Sequence, residues 1–354
     1  MDGIIHLDTL YLNVKYPYSD VFKYWYGKVA GAEYRTLKEG IAYGDFVIRN
    51  GASCYKVSVW QHDARVFLTD QVDEKVGEGK GSGIWVQLGP KFLIEHFYHL
   101  QMAVKDLLRA VGVIGDYPIK INRLDIALDL FGVSMQEQDI NLWHAGWVGR
   151  SKISDLHFNS RTGALETIYI GSRNSPIYLR VYDKVAQAVQ EGDIVYWLDV
   201  WQGFSGPVTR VEWQIKPSDG KFYKTITDFE QLIPFSILET LNYLVDWGRL
   251  CTPNPDDSNN RRWKDADFWQ KVRNLIQDNS AGVYWPVSRL GKEFHGISAA
   301  YIKFLSGTLS GGMARLGLDN PNMVSLINGL AENGQSLEDI QKTAAKKAAV
   351  ISKL

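Results

Sequence analysis

The chain has 354 residues, of which 45% are hydrophobic and 22% charged, so it can form one large or two ordinary globular domains. Its net charge of -1 excludes a surface that is positive throughout, but not a local basic groove. The two cysteines lie far apart, which excludes a disulfide framework and a cysteine zinc site. No apolar run reaches the roughly 18 residues of a membrane span, and no secretory signal pattern opens the chain. These features indicate a cytoplasmic protein with no membrane partner.

The first part of the chain is predicted to mix strands and helices. The segment HLDTLYLNV alternates with period two, as strands do, and SDVFKYWYGKVAG has the serine start and the apolar spacing of a helix. Asn50-Gly51 lies between two apolar runs and predicts a hairpin. GIWVQLGP predicts a short strand, and KFLIEHFYHLQMAVKDLLRAVG predicts a long helix that ends at Gly112.

The second part of the chain is predicted to begin with strands and to end with helices. The strands are expected at residues 121–131, 165–171, 176–184 and 207–216. The polar stretch CTPNPDDSNNRRWKD predicts a boundary, beyond which only helices are expected. We therefore expect an α+β protein with a largely antiparallel sheet flanked by helices over 1–250, a linker over 251–265 and an all-helical subdomain over 266–354. From residue 260 onward, 13 Lys and Arg face 8 Asp and Glu, so the basic excess is C-terminal.

Three of the predicted strands have one apolar and one polar face, because side chains alternate along a strand. The polar faces hold Arg123, Asp125 and Asp129 in RLDIALDL; Arg210, Glu212, Gln214 and Lys216 in TRVEWQIK; and Tyr178, Arg180, Tyr182 and Lys184 in IYLRVYDK. One interpretation is a sheet with a solvated side. The other is a site for phosphate chemistry, since carboxylates bind hard cations, arginines bind phosphate oxygens and a phenol can act as a nucleophile.

Three segments resemble the replication initiation factor family in their order along the chain and in their residue patterns: INRLDIALDLFG, NSRTGALETIYIGSRNSPIYLRVYDK and TRVEWQI. The resemblance covers roughly residues 8 to 216 and is carried mainly by the long middle segment. The family comprises rolling-circle initiators of small plasmids, replication proteins of some filamentous phages and related relaxases of conjugative elements. The resemblance implies a bacterial host cell and origin DNA as the partner.

The resemblance also implies the reaction, a metal-dependent nick of one DNA strand by a tyrosine. The tyrosine stays joined to the 5′ phosphate, and the free 3′ hydroxyl primes synthesis. The family motif R-x-Y-[DN]-K falls on Arg180, Tyr182 and Lys184, so Tyr182 is the implied nucleophile, and Lys184 is expected to favour its phenolate. Two positions where the family often has acids are Gln187 and Gln214 here, which puts any role of those acids in doubt.

Asp125 and Glu212 are the predicted metal ligands, with Asp129 as an outer or bulge-assisted ligand. Positions i and i+4 of a regular strand are about 13 Å apart, too far for Asp125 and Asp129 to share one cation. No His-x-His triplet occurs, and His96 and His99 lie in an apolar helical run, so oxygen ligands and Mg²⁺ or Mn²⁺ are expected. A competing interpretation pairs the acids structurally with Arg123 and Arg210.

The predicted DNA contacts fall into two groups of residues. On or beside the polar strand faces they are Arg123, Arg173, Tyr178, Arg210 and Lys216. In the C-terminal part they are Arg261, Arg262 and Lys264, and this part is expected either to bind duplex DNA or to mediate dimerisation. A homodimer, a host helicase and the host replication machinery complete the expected partners. A conjugative relaxase, an origin-binding protein without catalysis and a phosphodiesterase that uses water are the alternative functions.

Overall fold

The structure is a computed structural model that describes residues 2–70, 83–217, 228–232 and 234–278. These residues belong to the first of two compact units, Met1–Ser288, and the second unit is Arg289–Leu354. Within the described part of the chain, no helix combines the length and the apolar character needed to cross a bilayer.

The described residues contain 13 strands and nine α-helices. The strands are β1 (Gly3–Val14), β2 (Ile41–Tyr43), β3 (Phe46–Asn50), β4 (Val57–Gln61), β5 (Ala64–Leu68), β6 (Ile84–Leu88), β7 (Ile119–Phe131), β8 (Trp147–Gly149), β9 (Ile153–Phe158), β10 (Leu165–Ile170), β11 (Ile177–Asp183), β12 (Val208–Ile215) and β13 (Gly248–Leu250). The helices are α1 (Asp20–Lys28), α2 (Tyr34–Glu39), α3 (Pro90–His96), α4 (Leu100–Val111), α5 (Ile140–Gly146), α6 (Lys184–Glu191), α7 (Ile194–Val200), α8 (Pro234–Trp247) and α9 (Asp267–Asp278).

Eleven of these strands form one sheet in the order β2-β3-β4-β5-β6-β1-β7-β12-β11-β10-β9, and every neighbouring pair is antiparallel. The two longest strands, β1 and β7, lie at its centre. Strands β8 and β13 form a separate two-stranded sheet. The predicted α+β class with a largely antiparallel sheet flanked by helices is therefore confirmed.

Most predicted elements are present, and two differ in detail. The hairpin expected at Asn50-Gly51 joins β3 to β4, but its connection runs over residues 51–56 rather than through a two-residue turn. The long helix predicted over residues 91–112 is divided into α3 and α4 by a 3₁₀ turn at Phe97–His99. It ends as expected at Gly112, whose φ of 107° is readily adopted by glycine.

One face of the sheet is apolar and is covered in part by α9. Leu124, Ile126 and Leu128 of β7 are fully buried on this face. Helix α9 packs against β1 and β7, and the ring of its Trp269 lies 6.2 Å from that of Trp213 in β12. Helix α9 thus contributes to the same core as the sheet, whereas within residues 251–265 Cys251 is the buried residue. The predicted domain division stays a prediction, and most of its helical region, residues 279–354, lies outside the described residues.

The opposite, polar face is also largely buried, because α6 and α7 lie across it. Every residue of β12 is buried, including Arg210 and Glu212. Two tryptophans at α7, Trp197 and Trp201, cover the face, and each is only 2% exposed. The interpretation of a solvated polar face is therefore wrong for β12 and for most of β7. It holds only toward the sheet edge, where β9 is largely exposed.

Candidate active site

The polar residues of three predicted strands meet because β7, β12 and β11 are neighbours in the sheet. In the register of these strands, Arg210 lies opposite Asp129 on one side and Tyr182 on the other. Glu212 likewise lies opposite Arg180. Directly opposed side chains of antiparallel strands are about 5 Å apart at Cβ, so the sheet register alone brings acids, arginines and the phenol together.

Tyr182, Glu212 and Arg180 form a hydrogen-bonded group at the end of β11. The Tyr182 hydroxyl donates to Glu212 Oε2 at 2.8 Å, and Arg180 Nη2 donates to Glu212 Oε1. Burial raises the pKa of Tyr182 well above 10, and the Glu212 carboxylate raises it further. The phenol is therefore protonated at neutral pH, and its proton already points at a carboxylate acceptor.

Strand β11 ends immediately after Tyr182, which fixes the position of the phenol. Asp183 caps α6 by accepting from the amide of Ala186 at 2.9 Å, and the helix ends at Gly192 with φ 77°. Because a capped helix follows directly in the chain, the backbone around Tyr182 is fixed by β11 and by the start of α6.

Asp125 is held by two arginines and is almost completely buried. Arg123 donates to both of its carboxylate oxygens, through Nε to Oδ1 at 2.8 Å and through Nη2 to Oδ2, and Arg180 Nη2 lies 3.4 Å from Oδ2. Burial raises the pKa of Asp125 to about 7, and Glu212 adds to this rise, whereas Arg123 opposes it. Asp125 thus holds its proton to a higher pH than an ordinary aspartate does.

Asp129 belongs to a closed ion-pair cluster under α7. Arg210 bridges both of its oxygens, with Nε to Oδ1 at 2.5 Å and Nη2 to Oδ2 at 2.8 Å, and the Trp201 indole donates to Oδ2 at 2.8 Å. Asp129 and Arg210 are both 0% exposed. Although burial by itself would raise the pKa of Asp129, Arg210 holds it far below its ordinary value. The prediction that Arg210 contacts DNA is corrected here, because its side chain is fully buried. The outer-ligand role of Asp129 stays a prediction, and both of its oxygens accept hydrogen bonds.

Lys184 is placed differently from its predicted role beside the phenol. As the first residue of α6 it is 3% exposed, donates to Gln187 and lies 4.1 Å over the ring of Trp197. Burial lowers the pKa of Lys184 to about 8, and the neighbouring Arg210 charge adds to this effect. Its hydrogen bond, within the described residues, goes to Gln187 and not to Tyr182. A glutamine at 187 thus supplies the acceptor for this buried lysine.

Asp8 is an acid of this face that the sequence analysis missed. It accepts from Arg210 Nη1 at 2.6 Å, and Arg210 lowers its pKa against the effect of burial. Asp8 lies at a β-bulge of β1, where Leu7 and Thr9 pair with the consecutive residues Ile126 and Asp125. The signal was present in the sequence, since the polar residues shift parity after Asp8, from His6 and Asp8 to Thr9, Tyr11 and Asn13.

The residues fit a divalent cation only in part. Among the described residues, no group of three or more His, Cys, Asp or Glu side chains is arranged to hold a metal. Asp125 and Glu212 nevertheless converge on one cationic group, because Arg180 Nη2 contacts an oxygen of each. The position of this nitrogen shows where two carboxylates from adjacent strands can face a single positive charge.

The predicted DNA contacts on the sheet differ in accessibility. Arg173 is exposed in the β10–β11 turn, and its carbonyl accepts from Lys216 Nζ and from Gln214 Nε2 at 3.3 Å. Gln214 is thus a donor that an acid could not replace. Tyr178 is 5% exposed, and Arg123 is engaged by Asp125. Arg173 is therefore the most accessible of these candidates.

The predicted basic residues of the C-terminal part lie around a 3₁₀ turn at Asn260–Arg262. Arg261, Arg262 and Lys264 are all exposed. Arg262 is paired with Asp257 through two hydrogen bonds of 2.9 and 2.6 Å. Arg261 and Lys264 are the two whose side chains remain most available for phosphate contacts.

Comparison with known families and with curated proteins gives no match to this chain. Among solved structures, the chain is similar to that of a rolling circle replication initiator protein from Geobacillus stearothermophilus. The sequence identity is 18% and the TM-score 0.44, over 78% of this chain and 96% of the other. Neither value assigns the chain to a family, so the function has to be argued from the geometry of the site itself.

Proposed function

We propose that this protein is a rolling-circle replication initiator that nicks one strand of origin DNA and joins it to Tyr182. The observation that carries the proposal is the hydrogen bond of 2.8 Å from the Tyr182 hydroxyl to Glu212, beside the guanidinium of Arg180. A nucleophile, a proton acceptor and a phosphate-binding cation are thus in contact at the end of one strand. The solved initiator structure agrees with this function but does not carry the argument.

The chemistry follows from the protonation states of the group. Because the phenol is protonated, Glu212 takes its proton as the phenolic oxygen attacks the phosphorus, which is general base catalysis. The new bond joins the Tyr182 oxygen to phosphorus, and the bond from phosphorus to the 3′ oxygen breaks. The departing 3′ oxygen takes a proton from solvent and becomes the primer terminus. Arg180 is placed to stabilise the negative charge on the phosphate oxygens.

A divalent cation, Mg²⁺ or Mn²⁺, is part of the proposal, with Asp125 and Glu212 as its ligands. When bound, it would polarise the phosphate and stabilise the charge of the transition state. The two carboxylates must then release Arg180, which frees its guanidinium for the DNA phosphate. Asp129 is left out of the set because it is Asp125, and not Asp129, that shares the Arg180 guanidinium with Glu212.

The Tyr182→Phe variant tests the nucleophile. Labelled single-stranded oligonucleotides tiled across the DNA that flanks the gene are incubated with Mn²⁺, and covalent adducts are measured in a denaturing gel. We expect an adduct with the wild-type protein and none with Tyr182→Phe, whereas the control Tyr178→Phe retains it. An adduct in Tyr182→Phe would refute the assignment.

The same assay separates the alternative functions. Cut product without an adduct indicates a phosphodiesterase that uses water, and binding without cleavage indicates an origin-binding protein. A relaxase would form the same adduct and differ only in the element that carries the gene. The homodimer and the host helicase stay predictions from the resemblance.

Chelation tests the metal. We expect EDTA to abolish adduct formation and added Mn²⁺ to restore it, because the cation is proposed to bind at Asp125 and Glu212. Full activity in EDTA would remove the metal from the mechanism and leave the proposal for Tyr182 intact.

A further inference from the structure

A shallow depression of about 290 Å³ lies on the polar face between β9, β10 and the β10–β11 turn. Its lining includes Asp155, His157, Tyr169, Arg173 and Tyr178. It is separate from the contacts of Tyr182 described above, and none of its residues takes part in the proposed reaction, although Arg173 and Tyr178 are predicted DNA contacts. The combination of aromatic rings, an exposed guanidinium and open access calls for an explanation.

The aromatic part of the depression is a pre-formed stacking surface. The rings of Tyr169 and Tyr178 are parallel within 7°, with centroids 5.8 Å apart. Tyr178 is almost buried and supports Tyr169 from one side, whereas Tyr169 itself is only half-buried. The rings of His157 and Tyr169 are nearly perpendicular, at 80° with centroids 5.1 Å apart, and His157 is held by Asp155 at 2.9 Å. A ring fixed in this way loses little entropy when a flat ligand stacks on it.

The charged part of the depression is Arg173. The turn that carries it is fixed by hydrogen bonds, because the Arg173 carbonyl accepts from Gln214 of β12 and from Lys216 just after that strand. Burial raises the pKa of Tyr178, and the Arg173 guanidinium beside its hydroxyl opposes that rise. A cation that is both exposed and anchored next to a stacking surface suits a ligand with a flat ring and a phosphate, that is, a nucleotide.

The depression is continuous with the proposed active site. Tyr169 is the cross-strand partner of Arg180, and Tyr178, Arg180 and Tyr182 follow one another on the same face of β11. The Cα atoms of Tyr178 and Tyr182 are separated by about 13 Å along a regular strand. A single DNA strand whose phosphate lies at Tyr182 and Arg180 can therefore extend over Tyr169 without changing direction.

We propose that this depression binds an unpaired nucleotide next to the phosphate that Tyr182 attacks, with its base stacked on Tyr169 and a phosphate on Arg173. The proposal rests on the function proposed above and extends it from the reacting group to the recognition of single-stranded DNA. Stacking accepts any base, so the depression contributes affinity and position rather than a strict sequence requirement.

Binding of short oligo(dA) and oligo(dT) single strands tests this proposal. The measurements use fluorescence anisotropy at several salt concentrations, with Tyr182→Phe as the parent protein so that no cleavage occurs. We expect Tyr169→Ala to weaken binding by about 10-fold or more without changing the salt dependence, and Tyr169→Phe to bind as the parent does. We expect Arg173→Ala to lower the log-log salt slope by about 0.7, as loss of one contact to a single-strand phosphate requires.

Two further variants make the test decisive. Tyr34→Ala, at a tyrosine that is 74% exposed on α2, is the matched control and should leave binding unchanged. Tyr169→Leu retains bulk in the sheet without an aromatic face, and it should weaken binding as Tyr169→Ala does if stacking is the cause. Unchanged affinity in Tyr169→Leu, or equal losses in Tyr34→Ala, overturns the proposal for the depression. In that case the adduct assay on the wild-type protein still decides the proposed function separately.

Discussion

The sheet has two arginine–acid clusters on one face, and they differ in how they are closed. In the first, Arg210 joins Asp129 and Asp8 beneath the tryptophans of α7, and the Arg210 and Asp129 side chains are both fully buried. In the second, Arg180 joins Glu212 and Asp125, which are themselves buried, but the Arg180 side chain is 29% exposed, and Glu212 also accepts from the Tyr182 hydroxyl. The same residue types thus form one cluster whose arginine is sealed and one whose arginine reaches solvent.

The residue types in an ion pair therefore do not decide its role. A pair whose acid and arginine are both fully buried stabilises the fold only as a unit and leaves no charged group at the surface for a ligand. A pair that is reached by solvent can exchange its partner for a phosphate or a cation. We therefore assign the first cluster to the scaffold and the second to chemistry.

The first prediction concerns the contribution of the Arg210 cluster to the stability of the fold. Arg210→Met leaves the buried Asp129 and its neighbour Asp8 without their main cation, and we expect the free energy of unfolding to fall by about 3–5 kcal/mol. Urea denaturation measures this. The control Arg35→Met removes a highly exposed pair with Glu39 and should cost at most about 0.5 kcal/mol. Equal losses in the two variants would show that the Arg210 cluster is not structural.

The second prediction concerns activity. Glu212→Gln removes the acceptor of the Tyr182 proton, and we expect the rate of adduct formation to fall by about 100-fold or more. Glu166 of β10 is a matched control, because its carboxylate is also hydrogen-bonded, by Asn159 at 2.8 Å. Rates from single-turnover gels that were equal for Glu212→Gln and Glu166→Gln would mean that Glu212 is not the base.

The third prediction uses the opposite pKa shifts of two acids on one strand. The pKa of Asp125 is raised from 3.8 to about 7, so the folded state binds its proton more tightly than the unfolded state does. Its contribution to stability is therefore greatest at low pH and declines as the pH rises from about 4 to about 7. The lowered pKa of Asp129 has the reverse effect, and its contribution is lost only in acid.

Unfolding of the wild type and of Asp125→Asn between these pH values checks the third prediction. The stability of the wild type relative to the variant should decrease as the pH rises, because the asparagine does not ionise. A difference that stays constant would show that Asp125 ionises as an ordinary surface carboxylate, and one that grows with pH would show that its pKa is lowered; either result contradicts the prediction.

The fourth prediction concerns the binding of duplex DNA by the exposed turn at residues 260–264. If this turn contacts phosphates, Arg261→Ala and Lys264→Ala should each lower the log-log salt slope of binding by about 0.9. Arg262→Ala should lower it less, because Asp257 already neutralises Arg262. Slopes that are unchanged in all three variants would remove this turn from the DNA interface.

The polar strand faces could be predicted from the sequence because side-chain alternation is a local property. The segments around Asp125, Glu212 and Tyr182 each have the predicted strand conformation, with the predicted residues on the side of the sheet that holds the site. The predicted association of acids with arginines is also found, in the pairs of Asp125 with Arg123 and of Asp129 with Arg210.

The partners across strands could not be predicted, because they depend on strand order and register. Arg210 stands two residues before Glu212 in the chain, yet it pairs with Asp129, which the register places opposite it. Glu212 pairs instead with Arg180 of β11. Asp8 was missed for a related reason, since simple alternation places it on the face of Leu10, whereas the bulge reverses the parity between them.

The position of β1 at the centre of the sheet has a consequence for synthesis of the protein. Residues 3–9 of β1 pair only with β7, which begins at Ile119, within the described sheet. At translation rates of about 5–20 residues per second, the interval between these strands takes roughly 5–20 s. During that time an apolar strand has no partner for its backbone amides and carbonyls, which is a condition that favours aggregation. A slower ribosome should therefore lower the soluble yield of this protein before it changes the activity of the molecules that fold.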